Sequence, residues 1–294
     1  MWDSAGRIFV LDTLMSRSRA KSGRNFWRIF LSEVLQVHWR SGMRLCFASA
    51  PASQQDPYLV KDLPAFNVPT SVFSVIVVII LVHVIRLFLP SDADLWLLFA
   101  LSFVPARYAV TTFVLPGGDL ASVTSFVSYM FVHGDAMHLI VNCLWLLAFG
   151  SAVAKRAGDL RFALFSVFCG VVGALTHLVV YWGDLTPVVG ASAAISGLMA
   201  AAVRFMFSGS LRTTISDFQQ DPTNVPLVGI ADALKDPRML IFLVVWMGLN
   251  LLFGLGAVDI GQGTAIAWEA HFGGFFAGLF GYSLFDRRAR NNFL

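Results

Sequence analysis

The chain has 294 residues, 57% of them hydrophobic and only 13% charged, with a mean hydropathy of +0.71. Soluble domains carry about 25% charged and about 45–50% apolar residues, so this composition excludes a soluble globular protein and predicts a polytopic membrane protein. The formal charge of +3 is not a nucleic-acid signal, because the basic residues sort by loop.

Residues 1–70 read as a poorly ordered cytoplasmic extension, rich in Arg and Ser over 1–40. Within it, residues 26–37 have the pattern of an amphipathic helix lying on a membrane surface. A second reading starts the native chain at Met43 and leaves the upstream stretch non-native. No signal-peptide core followed by a small-residue cleavage site precedes the first apolar run.

Runs of about 20 apolar residues match a hydrocarbon core about 30 Å thick. Six segments are expected to cross: 71–90, 137–154, 162–182, 188–207, 239–257 and 266–285. Residues 95–104 are apolar but too short, and are expected to fold as part of an interfacial loop. Cytoplasmic loops accumulate Lys and Arg, and six spans put 19 of the 21 basic residues on one side. The other side holds Arg86, able to snorkel from a helix end, and Arg107. The expected architecture is all-α: a six-transmembrane-helix bundle over 71–285, both termini cytoplasmic, with a short cytoplasmic tail over 286–294.

The second, fourth and sixth segments enter from the outer side, and each carries polar residues near its entry. His138 and Asn142 lie one turn apart on a common helix face. Ser192 is expected roughly 7 Å into the fourth span at 1.5 Å per residue, and His271 lies at a comparable depth below Trp268, a candidate interfacial anchor. Polar residues at membrane depth are expensive and face a bundle interior or a water-filled cavity.

This set has the parts of acyl transfer. Ser192 supplies a hydroxyl that needs an adjacent base, and His271 can be that base and later the acid for the leaving amine. His138, Asn142 and the backbone N–H of Ser192 are candidate donors to a tetrahedral oxyanion. Glu269 lies about 200° around the helix from His271, so the economical reading is a Ser–His dyad without a triad acid. Gly274 and Gly278, at i+3 and i+7 from His271, give the sixth helix a small face for close approach to the fourth. Gly190 leaves the backbone beside Ser192 open to a substrate carbonyl.

The motifs "HGDAMHLIVN", "GASAAISG" and "WEAHFGGFFAG" resemble the second-, fourth- and sixth-helix motifs of rhomboid intramembrane serine proteases. The resemblance covers roughly 66–285, in matching order and orientation. It implies Ser192 as nucleophile, His271 as general base, and His138 with Asn142 at the oxyanion. It also implies a multi-pass protein of the bacterial cell membrane that needs no cofactor. Its partners would be the lipid bilayer and the transmembrane segments of other proteins, cut near the outer face at a small residue.

Two departures stand out. The family's fourth-helix motif is usually Gly-x-Ser-Gly, whereas Ala193 follows Ser192 here, and its methyl is expected to tighten the floor of the site. The Trp-Arg pair common in the first outer loop is replaced by Pro105-Ala106-Arg107-Tyr108.

Blander roles are expected for other polar residues: Ser196 as packing, His133 as a loop brace, His83 and Arg86 as snorkelling groups, His177 as structural. Three cysteines, Cys46, Cys143 and Cys169, imply no disulfide framework, and the latter two read as small hydrophobes. Residues 254–263 are a flexible link or a mobile cap. The alternative function is a catalytically silent relative that binds transmembrane helices. A transporter is disfavoured because the polar residues of the fourth span cluster at its outer end.

Overall fold

A chain in lipid must satisfy its backbone hydrogen bonds internally, which helices do segment by segment. The computed structural model accordingly places a helix over each of the six apolar segments. It describes residues 68–109, 114–208, 217–219, 221–255 and 266–287. The surface-helix pattern at 26–37, Met43, Cys46, residues 256–263 of the glycine-rich stretch and most of the tail lie outside them.

The longer helices among the described residues are α1 (Thr70–Leu87), α2 (Ser91–Leu101), α3 (Gly118–Ser128), α4 (Ala136–Ala157), α5 (Asp159–Val180), α6 (Ser192–Met206), α7 (Pro237–Gly254) and α8 (Trp268–Gly281). Helix α4 contains a π turn at Leu146–Gly150. Four of them, α1, α4, α5 and α7, are long and apolar enough to cross a membrane. Helices α6 and α8 have 15 and 14 residues, shorter than expected at 1.5 Å of rise per residue. The fourth segment was expected to begin at 188, but φ of +112° at Gly190 breaks the backbone there, so α6 starts at Ser192 itself.

Residues 95–104 are, as expected, no part of a helix long enough to cross, and they are ordered rather than irregular. Ser91–Leu101 is helical, with Asp92 and Asp94 in its first turn, where carboxylates favour the positive end of the helix dipole. Phe103 then runs extended and bridges antiparallel to Val188.

Helix α6 is buried continuously from Ala193 to Phe205, as expected of a helix apolar all round. Its neighbours reach it through glycine: a Cβ on Gly197 would lie 2.3 Å from Cys169 Sγ of α5, and one on Gly278 of α8 would lie 2.2 Å from Gly197 O. Helix α7 is the opposite case, burying only Met239 and Asn250.

Several cations read as loop or snorkelling charges instead hold the chain together from inside. Arg156 is fully buried. It pairs through two nitrogens with Asp286 at 3.0 and 2.9 Å, and donates to the carbonyls of Pro222 (3.1 Å) and Val225 (2.6 Å). Arg204, 3% exposed, donates to the carbonyls of Val228 and Leu279. Arg86 does not snorkel: it pairs with Asp94 at 2.6 Å and donates to His133 O at 2.9 Å. His83 is likewise buried rather than reaching outward.

Candidate active site

The segment before Ser192 is pinned on both sides. Phe103 and Val188 exchange backbone hydrogen bonds of 3.0 and 2.8 Å, Ala106 N donates to Asp184 O at 2.8 Å, and Gly190 N donates to Tyr129 O at 2.9 Å. Tyr129 is itself held by its hydroxyl donating to Gly170 O at 2.8 Å. Ser192 is therefore delivered as the first residue of α6. There the opening backbone N–H groups lack intrahelical acceptors and the dipole is positive.

His271 stands in the first turn of α8, 79 residues later. Its Nε2 lies 2.6 Å from Ser192 Oγ. Helix α4 brings the other two predicted residues. Asp135 caps that helix, its carboxylate accepting from His138 N at 2.9 Å. The His138 ring then lies against Gly190: a Cβ on Gly190 would be 2.7 Å from His138 Nε2 and 3.7 Å from Ser192 Oγ. Asn142 follows one turn on and is 3% exposed. Its Nδ2 donates to His138 O at 2.8 Å, which leaves one amide hydrogen uncommitted.

The family model for the Rhomboid domain matches residues 120–287, more than half of the chain. This chain belongs to the rhomboid family. Rhomboids are in general intramembrane serine proteases. A search of the curated proteins finds no match.

Within this rhomboid, the hydrogen-bond directions define a chemical state. Asn250 Oδ1 of α7 lies 2.5 Å from His271 Nδ1, and Asn250 Nδ2 donates to Trp246 O at 2.8 Å. The donor end of the amide is thus committed to its own helix, and its acceptor faces the imidazole. Asn250 escaped the sequence reading although a signal was present. Apart from the Trp246 indole, it is the one hydrogen-bonding side chain in 239–257.

Other residues fall as follows. Glu269 is buried against His177 and engages its Nδ1, not His271. Ser196 Oγ donates to Ser192 O at 2.8 Å, bracing the first turn of α6. The buried His133 ring packs edge-on to His138 at 5.1 Å between centroids. Trp268 lies against Gly254 of α7, where an added Cβ would meet its side chain at 2.4 Å. Arg107 donates to Phe99 O of α2, within the segment between α1 and α3.

The Ala193 methyl does not floor the site as expected. A Cβ on Gly173 would lie 2.7 Å from the Ala193 Cβ, so the methyl points at α5. One residue along a helix turns a side chain by about 100°, which carries position 193 away from the face of Ser192.

Proposed function

We propose that this rhomboid is an intramembrane serine endopeptidase that cuts transmembrane segments of other membrane proteins near their outer ends. Ser192 Oγ attacks the scissile carbonyl carbon while its proton passes to His271 Nε2. The oxyanion accepts hydrogen bonds from Ser192 N–H, from His138 and from the free amide hydrogen of Asn142. The C–N bond then breaks, and His271 returns the proton to the departing amine. Water next attacks the acyl ester, giving its proton to His271, which passes it to Ser192 Oγ as the acyl C–O bond breaks and the acid product leaves.

The observation that carries this reading is the 2.6 Å contact between Ser192 Oγ and His271 Nε2, within the reach expected of a nucleophile and its base. The same reading takes 71–285 as a six-helix domain with both termini cytoplasmic, in a bacterial cell membrane. Residues 1–70 are a cytoplasmic extension and 286–294 a tail. Purified protein reconstituted with single-pass membrane segments tests it. Wild type is expected to cleave, Ser192→Ala to fall to background with its thermal midpoint kept, and Ser196→Ala to remain active. Wild type that retains segments uncut, indistinguishably from Ser192→Ala, would establish the silent helix-binding relative instead.

A further inference from the structure

We infer that Asn250 is a positioning residue for the base, holding His271 in the tautomer that can deprotonate Ser192. The inference rests on the proposed Ser192–His271 chemistry and adds a third helix to it.

A neutral imidazole carries one proton, on Nδ1 or on Nε2, and only an unprotonated Nε2 can accept from Ser192 Oγ. Nothing in Ser192 enforces that choice, because a hydroxyl both donates and accepts. Asn250 does enforce it. Its Nδ2 is committed to Trp246 O at 2.8 Å, so the atom facing His271 Nδ1 at 2.5 Å is the carbonyl oxygen Oδ1. A carbonyl oxygen only accepts. The proton of His271 must therefore reside on Nδ1, which leaves the Nε2 lone pair directed at Ser192 Oγ, 2.6 Å away.

The placement of Asn250 supports the same reading. On α7, Ile241, Val244 and Leu249 are exposed and only Met239 and Asn250 are buried. An amide in an apolar span is retained inside a bundle where it has a polar partner. Glu269, the nearby carboxylate, is committed to His177 and does not compete for His271. In a serine protease the group behind the base acts by fixing tautomer and ring orientation, and a neutral amide acceptor performs that task without burying a charge.

Two measurements on the full chain in lipid or detergent test this. The first compares wild type with Asn250→Leu, of similar size but without an acceptor, and with Asn250→Asp, which restores one. Asn250→Leu is expected to lower kcat by at least about tenfold, bounded above by the ~10²–10⁴ that a general base contributes, with KM nearly unchanged. Asn250→Asp is expected to recover much of that loss. An unchanged kcat in a folded Asn250→Leu protein, or a folded Asn250→Asp protein no better than Asn250→Leu, overturns the assignment.

The second measurement is the ¹⁵N spectrum of histidine-labelled wild type, with His271 assigned by its substitution. The Nδ1–H tautomer is expected, and an Nε2–H tautomer sinks the inference. This readout needs no turnover. Wild type that holds Nδ1–H yet neither cleaves nor reacts with a serine-directed fluorophosphonate counts against the protease while sustaining the role of Asn250.

Discussion

The carbonyl oxygen of Ala193 occupies the space that a side chain on Gly274 would need: a Cβ there would lie 2.0 Å from it. Helices α6 and α8 thus touch backbone to backbone, directly beside Ser192 and three residues past His271. Gly274→Ala must push the helices apart and open the 2.6 Å Ser192–His271 contact. Overpacking of this kind costs about 1–3 kcal/mol, so both thermal midpoint and cleavage rate are expected to fall. Gly248→Ala on α7 is the control, since a Cβ there meets nothing within 4 Å. Its helix gains up to about 1 kcal/mol. Equal behaviour of the two variants would contradict this account.

Ala193→Gly is expected to leave substrate preference unaltered, because the methyl faces Gly173 rather than the cavity. The removed contact and the freer backbone lower stability, by about 1 kcal/mol for the helix-interior glycine alone. Cleavage of a series with Gly, Ala, Ser, Leu and Phe before the cut checks it. A selective gain on the bulky residues would mean that the methyl does border the substrate.

Gly190→Ala is expected to abolish activity by two routes. With φ at +112°, position 190 is a conformation that side chains rarely adopt. The new methyl would also sit 2.7 Å from His138 Nε2, displacing the ring beside Ser192. Fluorophosphonate labelling together with cleavage separates the two routes. Labelling retained while cleavage is lost points to the oxyanion side, and loss of both to a misplaced Ser192.

Asp236 gives a pH dependence outside the apolar spans. It caps α7 by accepting from Arg238 N at 2.8 Å, and the hydrogen bond from the Arg238 side chain holds its carboxyl below the usual carboxylate range. A depressed carboxylate stabilises the fold above its unfolded pKa, about 3.9, and that stabilisation disappears as pH falls through the folded value. The difference in thermal midpoint between wild type and Asp236→Asn should therefore shrink on acidification below about pH 4. A difference that grows instead would reverse the sign of this interaction.

Much of the site is legible in the chain because its residues lie in three short motifs near helix ends. His138, Asn142, Ser192 and His271 are polar groups in apolar surroundings, and such groups stand out. What stays hidden are choices made by tertiary contact. Asn250 is as conspicuous as Asn142, but nothing in a linear string says that α7 turns it toward His271. Arg156 and Arg204 look like loop cations because a charge count cannot see that loop carbonyls and Asp286 receive them inside the bundle. The true start of α6 depends on one glycine dihedral, whereas hydropathy averages across it. The six-span count has the same weakness, since α6 and α8 are apolar over longer stretches than they are helical.

The Arg156–Asp286 pair has a consequence in time. Translation delivers Arg156 130 residues before its counter-charge, so most of the membrane domain is synthesised while that guanidinium has no carboxylate to meet. Leaving one member of a buried pair alone costs about 3–5 kcal/mol, enough to keep the C-terminal end of α4 from settling until the chain has passed α8 and reached Asp286. The last contact of this pair therefore forms late in synthesis. A chain interrupted before Asp286 would already carry Ser192 and His271, yet would lack the carboxylate that neutralises Arg156 in the finished fold.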